Sequence, residues 1–378
     1  MSIRLGVVGC GSVFWTPYMS LIERLRGQGR IDVCAVYDSD PDKRRLAAER
    51  LDLSPDLPDD VAVCRHPDVD VVLVLTSMTE HGRLARAALE AGKHVLVEKP
   101  VATSLAEAED VLAVAEAAPG HLVCAPHIVL SPTYRAMHAR VRAGEIGGLL
   151  TARGRYGWAG PDWSRWFYEP GGGSLFDLGV YNVTSLCGFF GPARRVTAMT
   201  GVAIPERLIN GEPMRVEAED NAHVLIDFGD ARFAVVTTGF TMQKYRSPCI
   251  ELYGTHGVLQ MLGDDWAPEG YELWRTDTQR TSSAGTGKAG AWELHPESDP
   301  TWPWTDGLRH LIECLETGQE PVTRPEHAYH ALEIMLAAQA AGADGRAREI
   351  ASDFPAPDLA RLGEVGGHAR VHDPRSAA

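Results

Sequence analysis

Three side chains in this sequence have the types and placement that proton chemistry needs. Lys99 closes the run His94-Val95-Leu96-Val97-Glu98-Lys99-Pro100, and the carboxyl end of a sheet strand is where open α/β sheets bind ligands. Pro100 fixes the chain just after it, and Glu98 is placed to hold the lysine. A lysine at a strand end can equally be a solvated charge. Asp177 and Tyr181 lie four residues apart in a helical pattern from Ser174 to Cys187, so they share one face. A carboxylate and a phenol projecting together towards a strand-end lysine would make a proton-handling set. The alternative is an aspartate favoured by the dipole of a helical first turn and a tyrosine packed in the core.

A second constellation suits phosphate. The first strand ends in Gly9-Cys10-Gly11-Ser12-Val13-Phe14 and runs into a helix. Two glycines there allow a tight turn and the close approach of backbone N–H groups to a pyrophosphate at the helix N-terminus. Phe14 stands where a third glycine is usual, so either the helix lies further from the strand or the turn is reshaped. Asp38 ends the second strand, where a carboxylate accepts from ribose hydroxyls and repels a 2′-phosphate. NAD is therefore expected over NADP, although Lys43, Arg44 and Arg45 could attract that phosphate and Asp38 could simply cap the helix beginning near Pro41.

The elements that must position these groups follow from hydrophobic pattern. Apolar runs at 3–8, 31–37, 71–75, 94–97 and 121–124 alternate with helical patterns at 12–26, 41–50, 80–91 and 105–117. Strands without polar alternation are buried on both faces, as in a parallel sheet with helices above and below. The expected fold class is α/β: an N-terminal doubly wound parallel sheet of Rossmann type over residues 1–126, then an α+β domain over 127–355 with an open, largely antiparallel sheet, then a tail, 356–378. The second domain reads as helices at 132–143 and 174–187, alternating strands at 195–202, 221–228, 232–240, 249–253 and 258–261, and helices at 305–317 and 325–341. Residues 276–289 read as a mobile loop and the last dozen residues as frayed.

Composition limits the partners. The chain has 378 residues, 44% hydrophobic and 23% charged, with a formal net charge of −15. That size suggests two domains plus decoration. So acidic a surface repels phosphate backbones and anionic lipid, which argues against nucleic acid and membrane partners. Seven scattered cysteines, without C-x-x-C or zinc spacing, read as reduced thiols, and no metal is expected. The N-terminus lacks the pattern of a signal peptide and no apolar run approaches a membrane span, so a cytoplasmic protein is expected. Residues 156–168 hold six aromatics, Tyr156, Trp158, Trp163, Trp166, Phe167 and Tyr168. Flat rings pack on the C–H faces of sugars and cyclitols, but an interface uses the same residues. Trp302 and Trp304 form a second group without an assigned place.

Gly-x-Gly after the first strand, Ala91-Gly92-Lys93-His94-Val95-x-x-Glu98-Lys99-Pro100, and Gly172-Gly173-x-x-x-Asp177-x-Gly179-x-Tyr181 together resemble the glucose-fructose oxidoreductase, inositol dehydrogenase and rhizopine-catabolism (Gfo/Idh/MocA) family. The match in element order covers nearly the whole chain. The resemblance implies that Lys99 is the catalytic lysine, that Asp177 and Tyr181 complete the site, and that the antiparallel sheet serves homo-oligomer contacts. Many relatives carry histidine where this chain has Tyr181; the tyrosine form resembles the glucose-fructose oxidoreductase and dihydrodiol dehydrogenase branches. The usual Thr-Pro-Asn-x-x-His is here Thr76-Ser77-Met78-Thr79-Glu80-His81, with Met78 replacing the asparagine that meets the nicotinamide ribose. The usual Asn-x-Arg-Phe is here Pro126-His127-Ile128-Val129, which makes His127 a candidate contact for substrate or cofactor.

The expected activity is NAD(P)-dependent hydride transfer between nicotinamide and a carbinol or carbonyl carbon of a sugar, sugar derivative or cyclitol. Gly9, Gly11, Ser12, Val13, Phe14, Asp38, Thr76, His81, Glu98 and Lys99 would face the cofactor. Lys99, His127, Trp158, Trp166, Asp177 and Tyr181 would face the substrate, with Lys99, Asp177 and Tyr181 catalytic. Two rivals share the fold: a glycoside hydrolase that uses NAD in a hydride round trip, and a dinucleotide sensor without chemistry.

Overall fold

The computed structural model describes residues 2–54, 57–276, 291–296, 299 and 301–363. The first five strands are β1 (Ile3–Val8), β2 (Ile31–Tyr37), β3 (Val71–Val74), β4 (His94–Val97) and β5 (Leu122–Cys124). They form one parallel sheet in the order β2-β1-β3-β4-β5. All four residues of β3 are buried, as a strand covered on both faces requires. Around the sheet lie α1 (Met19–Gly27), α2 (Pro41–Leu51), α3 (Asp60–Cys64), α4 (His81–Glu90) and α5 (Leu105–Ala117). Strand order reverses between β1 and β3, and the crevice at their carboxyl ends is the place where such sheets bind ligands.

The second half adds α6 (Pro132–Arg142), β6 (Leu149–Gly157), α7 (Val180–Phe190), β7 (Arg195–Gly201), the hairpin β8 (Glu206–Ile209) and β9 (Glu212–Arg215), β10 (Asn221–Asp227), β11 (Phe233–Gly239), β12 (Ile250–Gly254), β13 (Gly257–Asp264), β14 (Ala267–Arg275), β15 (Trp292–His295), α8 (Gly307–Thr317), α9 (Pro325–Asp344) and β16 (Arg348–Glu349). Nine of these strands form a sheet in the order β15-β14-β13-β12-β6-β11-β10-β7-β16. Every pairing in it is antiparallel except β6 with β11. α6, α7 and α9 cover one face, packing on β14, β6 and β7. The other face leaves Met199, Leu225, Phe233 and Val235 exposed.

Beyond the elements the pattern does not show, α3, β8, β9, β14, β15 and β16, three further features depart from it. β6 lies in a stretch whose glycines hid its period; a Cβ at Gly154 would come within 2.9 Å of Asn182 on α7, so the glycine is there for close packing. α8 returns to the first half: Leu308, Leu311 and Ile312 bury against Leu5, Val7, Leu73 and Leu96. Residues 356–363 are not a free tail, because Leu359 is buried and Arg135 Nη2 donates to the Leu362 carbonyl at 2.9 Å. The loop expected at 276–289 beyond Thr276, and the tail beyond Gly363, lie outside the described residues. Among the described residues no helix is long and apolar enough to cross a membrane.

Candidate active site

The glycine loop carries the local signs of an anion cradle. Gly9 has φ +98°, and a Cβ there would stand 2.6 Å from the Leu75 carbonyl, so the end of β1 packs directly on the end of β3. An added Cβ at Gly11 would meet nothing within 4 Å, which leaves open space above the backbone where the helix starts. Phe14 was expected at the cofactor but is fully buried, away from the cavities that Gly11, Ser12 and Val13 line. The cause is a π-helical turn over Phe14–Tyr18, whose extra residue turns Phe14 into the core while Trp15 lines the cavity. The turn is thus reshaped rather than displaced.

Asp38 ties this loop to β2. Its Oδ2 accepts from the Cys10 N–H at 2.7 Å and its Oδ1 from the Asp40 N–H at 2.8 Å. Asp38 is not the cap of α2; Asp40 is, accepting from the Asp42 and Lys43 amides. Asp38 also lines a cleft with Tyr37, Ser39, Lys43 and Thr76, beside the glycine loop. Arg44 lies over the Tyr37 ring, 5.0 Å from its centroid, and donates to the Asp38 carbonyl.

His81 acts as a strut under the site. Its Nδ1 lies 2.7 Å from the Pro100 carbonyl and its Nε2 3.1 Å from that of Thr76, which joins the loops after β3 and β4. Burial pulls its pKa down. Met78 is buried but lines the main cavity together with Thr76 and His81.

Lys99 and its partners come from both halves of the molecule. Its Nζ donates to Asp177 Oδ1 at 2.6 Å and to the Asp177 carbonyl at 2.8 Å, and lies 5.6 Å from the centroid of the Tyr181 ring. Their side chains are 11% and 14% exposed, so the pair is shielded but not sealed. Glu98 does not hold the lysine side chain: it accepts from the buried Tyr18 hydroxyl at 2.8 Å, locking the π-turn to β4. Burial raises the Glu98 carboxyl above its ordinary range, against the pull of Lys99.

The helix expected from Ser174 opens as a second π-helical turn, Leu175–Gly179, before α7. Asp177 and Tyr181 still line one cavity across it. Glu219 holds the start of this turn, accepting from the Leu175 amide at 2.8 Å and from Ser174 Oγ at 2.6 Å. Burial pushes Glu219 up to about 7. Burial, with Glu98 and Asp177 nearby, raises the Tyr181 hydroxyl well above its ordinary value, so the phenol stays protonated. Behind the helix the buried Asp265, raised by burial to about 7, accepts from Asn182 Nδ2 at 2.6 Å and Ser185 Oγ at 3.0 Å.

These groups face a cavity of about 650 Å³. Trp158, Trp163 and Trp166 of the aromatic stretch line it, and so do Trp15, Trp266 and Trp304, which the sequence pattern does not place there. Trp304 meets Tyr18 edge-on at 6.4 Å, whereas Trp302 packs against the core. His127 does not contact the cavity expected for it: it is fully buried and packs against Gly307 at the head of α8. Burial pulls its pKa down to about 3.

A dinucleotide cradle opening into the same cavity as a lysine, a carboxylate and a phenol is an arrangement suited to a nicotinamide-dependent oxidoreductase. Residues 3–124 match a family model described as an oxidoreductase family with an NAD-binding Rossmann fold, and residues 134–260 match the GFO/IDH/MocA C-terminal domain. The chain belongs to the Gfo/Idh/MocA oxidoreductase family, and its first domain is an NAD-binding Rossmann domain. It is 23% identical over 333 residues to trans-1,2-dihydrobenzene-1,2-diol dehydrogenase of Bos taurus, covering 84% of this chain and 90% of that one. It is 33% identical over 153 residues to inositol 2-dehydrogenase of Acidothermus cellulolyticus, covering 40% of this chain and 44% of that one. Among solved structures it resembles levoglucosan dehydrogenase in complex with NADH and L-sorbose, with TM-score 0.78 and 19% identity, over 93% of this chain and 99% of that one.

Proposed function

We propose that this protein is a dehydrogenase that interconverts a carbinol and a carbonyl on a neutral sugar, sugar derivative or cyclitol, with NAD as the hydride carrier. The observation that carries this reading is the Lys99–Asp177 pair beside Tyr181, in a cavity walled by tryptophan and shared with the glycine loop. When bound, NAD supplies the acceptor or donor of hydride; the open space at Gly11 and the Ser12 and Val13 backbone suit its diphosphate. Asp38, facing the neighbouring cleft, suits its ribose.

Tyr181, kept protonated, donates to the oxygen of the reacting carbon. In oxidation Lys99, as the neutral amine, would take the hydroxyl proton and become the ammonium that Asp177 holds at hydrogen-bond distance, and in reduction that ammonium would return the proton. The task of Asp177 in this reading is to hold the lysine. Glu98 and Tyr18 keep the strand end and the π-turn in register. The indole faces pack on C–H faces of the ring and keep water out. The apolar open face of the large sheet, with Met199, Leu225, Phe233 and Val235, supports a homo-oligomer. Seven free thiols suit a cytoplasmic enzyme.

The test is incubation with NAD or NADP and a panel of sugars and cyclitols, following absorbance of the reduced cofactor. Saturable reduction with at least one polyol supports the reading; tight NAD binding with no reduction across the panel overturns it.

A further inference from the structure

Part of the cavity wall is exposed aromatic surface. Trp158 and Trp163 stack at 5.6 Å with their planes 27° apart, and Trp163, at the rim, remains 47% exposed. Phe167 meets the Trp163 ring edge-on at 6.0 Å and stacks on Trp166 at 3.7 Å. An exposed indole in a floppy loop would mean little, but this loop is fastened. The Asn210 amide donates to the Asp162 carbonyl at 2.7 Å and its Nδ2 to the Trp163 carbonyl at 3.1 Å. Arg207 Nη1 donates to the Ala159 carbonyl at 2.6 Å, and Arg207 is anchored on the fully buried Asp220 at 3.0 Å. Asn210, in the turn between β8 and β9, has φ +52°. The hairpin therefore fixes the aromatic loop from outside and presents the Trp163 face in a set position.

Charge narrows what this face can take. The ionisable acids and bases other than histidine, tyrosine and cysteine that line the cavity are Lys43, Glu98, Lys99 and Asp177. Lys99 and Asp177 are paired, Glu98 is bonded to Tyr18, and Lys43 lies at the glycine-loop end near Asp40. Among the described residues that line the cavity, the tryptophan wall thus offers flat apolar surface without an unpaired cation beside it.

We propose that Trp158 and Trp163 form an outer subsite for a second, uncharged ring, so that the substrate is a glycoside whose aglycone stacks on Trp163 while the oxidised sugar ring lies by Lys99 and Tyr181. This rests on the dehydrogenase reading above. The aglycone is an aryl group or a second sugar, two sources of the same flat-faced chemistry.

The experiment compares kcat/KM for free glucose, galactose and xylose, their methyl and phenyl β-glycosides, and cellobiose, with NAD and the full-length protein. For the sugar that is turned over, the phenyl glycoside is expected to exceed the methyl glycoside about tenfold, the worth of one good ring stack. Cellobiose exceeding methyl glucoside in the same way would identify a second sugar as the natural aglycone. Trp163→Ala should erase the difference; Asn210→Gly, which keeps the left-handed turn but loses the bond to Trp163, should reduce it. Equal kcat/KM for methyl and phenyl glycosides, or a parallel fall for both in Trp163→Ala, overturns the subsite. So does a dimer that Trp163→Ala dissociates in sedimentation velocity, since a second copy would then cover this face. If none of these sugars is oxidised, binding of phenyl β-glucoside to the NADH-loaded protein decides the subsite separately: saturable tryptophan quenching lost in Trp163→Ala sustains it while the dehydrogenase reading fails, and no quenching removes it.

Discussion

Replacing Lys99 by methionine removes the ammonium and keeps most of the stem, which isolates the charge from the packing. In the native protein Lys99 Nζ gives two hydrogen bonds, both to Asp177, at 2.6 and 2.8 Å. If Lys99 carries the proton, turnover should fall by roughly 10²–10⁴, the usual worth of a positioned acid/base group, or about 3–5 kcal/mol of barrier. Stability should fall less. Stranding one member of a buried ion pair costs about 3–5 kcal/mol, but this pair borders an open cavity from which water can reach Asp177, so about 1–2 kcal/mol is expected. NADH affinity, measured by fluorescence titration, should change by less than about threefold, because the loss falls on proton transfer. The sharper assay is the cycle with Asp177→Asn. If Asp177 acts by holding Lys99, the double variant should be about as slow as Lys99→Met alone, since groups that act as a unit are not additive. Losses that multiply would show Asp177 working independently, and unchanged turnover in Lys99→Met would remove the lysine from the mechanism.

If Tyr181 is the proton donor of the proposed reaction, Tyr181→Phe should lower turnover by about 10²-fold or more while leaving NADH binding unchanged; a normal rate would exclude it as the donor. Glu219→Ala leaves the Leu175 amide and Ser174 hydroxyl without their acceptor, and should cost about 1–3 kcal/mol in urea unfolding together with a slower reaction; a stable variant with slower turnover alone would contradict the capping role. Four buried histidines are held neutral by burial, His127 and His327 at about 3 and His310 and His330 at about 4. Their contribution is present above the unfolded histidine value near 6.5 and is lost as pH falls below it. Glu219 and Asp265, both raised to about 7, oppose this, since their contribution is present at low pH and lost as pH rises towards 7. The histidines outnumber the acids, so unfolding free energy should fall between pH 6.5 and 4.5, each net proton taken up on unfolding being worth about 1.4 kcal/mol per pH unit; urea titrations showing it flat or rising would contradict these assignments.

What was legible in the sequence is what local chain geometry controls. Lys99 could be placed because an apolar strand ends beside it, and Gly9 and Gly11 because a strand-turn-helix needs them. Asp177 and Tyr181 could be paired because four residues keep a common face even when the turn widens. The exchange of Phe14 for Trp15 was not legible, since one extra residue in a turn redirects the side chains and the π-turn is stabilised by a distant contact, Tyr18 to Glu98. Glu219 acts on Ser174 and Leu175 across a long stretch of chain, and Trp266 and Trp304 reach the cavity from segments with no periodic signal of their own. α8 docks on the first sheet by an apolar face whose partner no local pattern could name. His127 looked like a ligand contact only by its place in a motif, and the burial that makes it structural depends on α8.

The central claim is hydride exchange with a neutral ring beside Lys99. It is tested most directly by following reduced-cofactor absorbance when the protein is mixed with NAD and the panel of sugars, glycosides and cyclitols, with Lys99→Met in parallel. Saturable NADH formation with at least one polyol, lost in Lys99→Met while that variant still binds NADH, is the predicted result. NAD bound tightly with no reduction across the panel, or equal reduction by both proteins, would contradict it.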